Sequence, residues 1–87
     1  MKLVINNCFG EFGLSKKARA WLGTNNIPDR DDPRLVECVQ TLGEKANGQF
    51  AELEVVELPD GVTDWEITEY DGAETVIYVL DGKIHHA

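Results

Sequence analysis

Phe50-Ala51-Glu52-Leu53-Glu54-Val55-Val56-Glu57-Leu58 is where the hydrophobic period of this chain changes. Ala51, Leu53 and Val55 alternate with Glu52 and Glu54, which gives a strand one apolar and one acidic face. Val56 and Leu58 fall out of phase with Val55, so a bulge or a strand end is expected there. Between residues 14 and 46 the apolar spacing is helical. Downstream it stays strand-like, so the chain divides into a first part that carries the helices and a strand-built second part.

Working back from that switch, Leu35, Val39, Leu42 and Ala46 recur at helical spacing after Asp32-Pro33, a carboxylate cap with proline at the first helical position. Gly43 weakens the last turn and Asn47-Gly48 ends it. An earlier, shorter helix is expected after Ser15, with Leu14, Ala18, Trp21 and Leu22 on one face and Gly23 as its stop. Lys2–Asn6 reads as a buried strand. Working forward, Pro59-Asp60-Gly61, Asp71-Gly72 and Asp81-Gly82 are turn signals. They separate a strand around Trp65 and Ile67, an internal strand Thr75–Leu80 that is apolar on both faces, and a short last segment, Lys83–His86. The order is β-α-α-β-β-β(β), an α+β single domain over residues 1–87. Two helices packed on one face of an antiparallel meander sheet are the simplest layered arrangement.

Composition narrows the function. The net charge is −8, and it is segregated: residues 1–50 balance at +1 and residues 51–87 at −9. Direct nucleic-acid binding through a basic surface is disfavoured. No apolar run is long enough to span a membrane, and no secretory leader is recognisable, so a cytoplasmic location is expected. Two cysteines, Cys8 and Cys38, are too few for a disulfide framework or a zinc site. No cofactor or metal is expected. Adjacent His85 and His86 lack a third ligand, and Arg30 among Asp29, Asp31 and Asp32 suggests a surface ion network.

The candidate ligand site is the loop between the first strand and the first helix, Asn7, Cys8, Phe9, Gly10, Phe12, Gly13 and Ser15, with Lys16 and Arg19 following. Backbone N–H groups before a helix can cradle an anion. The spacing is neither a Walker A sequence nor a dinucleotide fingerprint. The plain alternative is a strand-to-helix turn whose glycines supply positive φ and whose Phe9 and Phe12 plug the core. Cys8 has no histidine near it in sequence, so no nucleophile–base set is apparent and a non-enzyme is expected.

Residues 8–15, Asp32–Val36, Ala46–Ala51, Pro59–Val62 and Glu69–Gly72 together resemble a family of small phage- and prophage-encoded proteins. Its members carry a Cys-Phe-Gly-Gly-Phe-Gly-Leu-Ser type segment. Here Glu11 replaces the second glycine, and the C-terminal segment differs from the basic, aromatic ending of that family. The resemblance implies a viral accessory role in the host cytoplasm. Two readings follow. The first is a homo-oligomer that sequesters a small phosphorylated, nucleotide-like ligand through the loop, for host takeover or anti-defence. The second is an acidic inhibitor that meets a basic host protein, as a charge mimic of nucleic acid, through a shared sheet face bearing Glu52, Glu54, Glu66 and Glu69.

Overall fold

The computed structural model describes residues 1–87. In chain order it has β1 (Lys2–Asn6), α1 (Lys16–Leu22), α2 (Pro33–Leu42), a 3-10 turn (Gly43–Ala46), β2 (Leu53–Glu57), β3 (Asp64–Tyr70), β4 (Ala73–Leu80) and β5 (Lys83–His86). The fold is α+β with the expected order. Both helix starts follow from their caps. Ser15 Oγ accepts the Ala18 N–H at 3.0 Å, and Asp32 Oδ1 accepts the Arg34 N–H at 2.8 Å. Gly23 closes α1 in the left-handed region at φ 74°.

The strands divide into two sheets. β1 pairs antiparallel with β2 as a two-stranded ribbon, from Lys2 opposite Glu57 to Asn6 opposite Leu53, with no bulge. β3, β4 and β5 form a separate antiparallel meander with β4 in the middle. Both of its hairpins turn on two residues, Asp71-Gly72 and Asp81-Gly82, all at positive φ, as type I′ turns require.

The ribbon is the middle layer. Val4 on β1 enters one core cluster with Leu14, Ala18, Leu35, Val36, Cys38, Val39 and Ala46, with Leu53 and Val55 packed against it. Leu3 and Ile5, on the opposite face of β1, enter a second cluster with Leu58 and Val76, joined by Val56, Trp65, Ile67 and Tyr78. The phase break at Val55–Val56 is therefore a strand apolar on both faces, with helices on one side and the meander on the other. The expected single sheet becomes two because both faces of the ribbon must be covered. Each fully buried leucine in these clusters, Leu3 and Leu35 among them, stabilises by roughly 1.5–3 kcal/mol.

Candidate functional site

The loop after β1 lies antiparallel along residues 46–52. Asn7 N–H donates to the Glu52 carbonyl at 2.8 Å, Glu11 N–H to Phe50 at 3.1 Å and Ser15 N–H to Ala46 at 2.9 Å, while the Gly13 carbonyl accepts the Gly48 N–H. These three donors are spent inside the protein and are not free to bind a ligand. Gly10 and Gly13 do not have positive φ. Gly10 is needed for close approach: a Cβ there would overlap the Phe50 carbonyl, and a Cβ on Gly72 would overlap the Gly10 carbonyl. Phe9 is not a core plug but is 76% exposed, whereas Phe12 packs against the first cluster.

Asn6, completely buried at the end of β1, organises this region. Its Nδ2 donates to the Gly72 carbonyl at 2.8 Å and the Cys8 carbonyl at 3.1 Å. Its Oδ1 accepts the Glu52 N–H at 2.8 Å and the Cys8 thiol at 3.3 Å. Its own N–H donates to Glu74 Oε1 at 2.7 Å. Arg30 completes the node: Nη1 and Nη2 reach the two Glu74 oxygens at 2.6 and 2.8 Å, and Nη1 also donates to the Val4 carbonyl. The guanidinium lies 3.6 Å over the Phe12 ring. Arg30 thus leaves the expected network with Asp29, Asp31 and Asp32. Burial pushes the Glu74 carboxyl up, but the Arg30 hydrogen bonds, the Asn6 N–H and the Arg30 charge outweigh it and hold it below the usual glutamate range.

Beside this node is a depression of about 380 Å³, lined by Gly10, Glu11, Phe12 and the β3–β4 turn, including Glu69, Asp71 and Glu74. Four carboxylates edge the loop from which anion binding was expected. Lys16 and Arg19 lie elsewhere, on an open cavity of about 520 Å³ along α1 shared with Ala20, Gly23, Thr24 and Asn25. Ser15, beyond its cap bond, donates its hydroxyl to the Lys45 carbonyl at 2.6 Å. The nine ligand candidates therefore fall into two places.

The four glutamates of the second reading do not share a face. Glu52 precedes β2, and Glu54 lies on the ribbon. On β3, Glu66 points to the outer surface of the meander. Glu69 sits on the opposite face in register with Glu74, and its Oε1 accepts the Gly72 N–H at 2.6 Å. The two-sheet division separates Glu52 and Glu54 from Glu66, and the odd spacing along β3 turns Glu69 away from Glu66.

Cys8 donates its thiol to Asn6 Oδ1 and the Phe50 carbonyl, both acceptors, and no histidine joins it. His85 stacks on Tyr78 at 5.2 Å between ring centres. Burial, slightly offset by the Arg34 charge, pushes the Cys38 thiol up. No three of the His, Cys, Asp and Glu side chains are placed to hold a metal ion. No helix is long and apolar enough to cross a membrane.

Known families, curated proteins and solved structures give no match to this chain. Site geometry and charge therefore carry the functional argument.

Sequence reasoning passed over Asn6, Arg30 and Glu74 as site-forming residues. One signal for Glu74 was present: it shares parity with Val76 and Tyr78 on β4, so it points inward.

Proposed function

We propose that this protein is a non-enzymatic accessory protein that binds a basic surface on a partner protein. The observation that carries this reading is the placement of charge. Nine of the ten acids after residue 50 are exposed and Glu74 alone is buried, while Lys83 is the only cation in that part. Such a surface attracts a cationic partner and speeds its encounter. The phage-like segments are consistent with a host protein as the target, in the host cytoplasm, and charge mimicry of nucleic acid is one way to inhibit it.

Affinity capture from bacterial lysate, with the captured proteins identified, tests the reading against a Glu52→Lys, Glu54→Lys, Glu66→Lys chain. Basic proteins should be retained by the native chain, released by 0.5 M salt as expected from screening over about 3–10 Å, and lost from the reversed chain. Equal retention by both chains would sink it.

One observation favours the small-ligand reading. Lys16 and Arg19 have no acidic partner and line one cavity with Thr24 and Asn25. As this cavity is open, enclosure of a phosphorylated ligand there needs a second copy, so the reading includes a homo-oligomer. Depletion of linear and cyclic nucleotides from solution, abolished by Lys16→Glu with Arg19→Glu, is its test. No depletion of any of them disposes of it.

A further inference from the structure

β3 is an edge strand of the meander, and no strand pairs with its outer side. It runs beside β4 without interruption, from Asp64 opposite Val79 to Tyr70 opposite Ala73. Tyr70 and Ala73 flank a two-residue turn and so form a hydrogen-bonded pair. Alternation then aims the N–H and carbonyl groups of Trp65, Ile67 and Glu69 away from β4. Of these three N–H groups only that of Trp65 is met, by Asp64 Oδ1 at 2.9 Å. The usual devices that blunt an edge are missing, since β3 has no bulge, no proline and no lysine. The other edges are closed or shorter. Arg30 meets both backbone groups of Val4 on the outer side of β1, β2 has five residues, and β5 has four with Lys83 among them.

The charge along this edge selects what can pair with it. Asp64 and Glu66 point to the outer surface of the meander and Glu69 to the opposite face, and no cation is paired with any of them. A second copy of this chain added along β3 would line one seam with Asp64, Glu66 and Glu69 of both copies and no cation. Like charges across strands destabilise, whereas opposite charges stabilise. Resting on the reading above, we infer that β3 is the element on which the partner protein docks. Its occupant is an extended segment added antiparallel to the free edge, with lysine or arginine at the alternate positions opposite Asp64 and Glu66. Main-chain hydrogen bonds to Trp65, Ile67 and Glu69 hold the segment, and the cations select it. Its arrival replaces the bond from the Trp65 N–H to Asp64 and releases that carboxylate for a cation. The residues between the cations lie opposite Trp65 and Ile67 and turn their own N–H groups toward β3.

The test titrates the full chain, labelled with nitrogen-15, with a Lys-Val-Lys-Thr-Lys-Val peptide blocked at both ends. Two further forms of the peptide carry backbone N-methyl groups, one on valine and threonine, the other on the lysines. Amide shifts should concentrate at residues 64–69. Methylation at valine and threonine should abolish binding, and methylation at the lysines should weaken it far less. A Glu66→Lys chain, altered at an exposed position, should bind the unmodified peptide about fivefold more weakly and gain affinity for the analogue with glutamate in place of lysine. Equal effects of the two methylations, the reverse preference, or shifts spread over the other acids would overturn docking on β3 while leaving the acidic-binding reading in place. No binding of the unmodified peptide would overturn the inference; the reading above fails separately, when the native chain retains no basic protein from lysate. A concentration-dependent mass, with the same amide shifts in the absence of peptide, would make a second copy the occupant and overturn the inference.

Discussion

Glu74 puts a charge at an inward position of β4, next to Val76, and the arrangement holds only because Arg30 and Asn6 meet it there. Removing one partner of a buried pair leaves the other uncompensated. Arg30→Met is therefore expected to cost about 3 kcal/mol in chemical denaturation, with Glu74→Gln similar in direction. The pH dependence has a definite sign. A carboxyl held below its ordinary value contributes stability that is complete above the unfolded value, about 4.3 for glutamate. That stability is lost as pH falls through the lower folded value. Melting curves between pH 3 and 6 should lose a component of the acid-side decline in Glu74→Gln; an unchanged decline would contradict this role. The node was illegible in the sequence because its partners lie 44 and 68 residues apart. Asn6 read only as the end of an apolar run. A second residue-scale contrast concerns two turn glycines with similar φ. At Gly72 an added methyl meets the Gly10 backbone, whereas at Gly82 it meets open space. Gly82→Ala should cost about 1 kcal/mol from the left-handed backbone alone. Gly72→Ala should cost clearly more, and equal melting temperatures for the two would refute the close approach.

At the scale of elements, what could be read was what is local. Ser15, Gly23, Asp32-Pro33 and the two Asp-Gly turns act within a few residues of themselves, and each delimits the element expected of it. The pairing of strands was not local. β2 reads equally well as a meander strand or as a ribbon partner, because Val55 and Val56 are both apolar and only tertiary packing decides what covers each. The candidate site suffered from the same limit. Glycines in a loop signal either positive φ or close approach, and which one applies depends on Phe50 and Gly72, far along the chain. The caps provide a quantitative check. Asp32→Ala should cost about 1 kcal/mol, and Ser15→Ala up to about 2 kcal/mol, since Ser15 also holds the Lys45 carbonyl. Urea denaturation of both variants would show it, and a smaller loss for Ser15→Ala would remove the second bond from the account.

For the whole molecule, net charge acts against compactness. With nine exposed acids after residue 50 and only the Lys2–Glu57 and Arg30–Glu74 ion pairs in the chain, self-repulsion should weaken as salt rises. Melting temperature should therefore increase between 20 and 300 mM sodium chloride. A decrease would mean that attractive pairs dominate instead. The layering has a consequence for motion. No backbone–backbone hydrogen bond crosses from residues 59–87 to residues 1–58, and the side-chain hydrogen bonds that do cross all run from Asn6 or Arg30 to Gly72 or Glu74. The meander is thus fastened by one apolar contact, the close approach of Gly72 to Gly10 and one polar rivet. It should open as its own cooperative unit while the helices stay folded, with its amides exchanging with deuterium earlier and as a group. In Glu74→Gln that early exchange should accelerate for β3, β4 and β5 and leave α2 unchanged, which makes the rivet a tunable hinge between two otherwise separable layers.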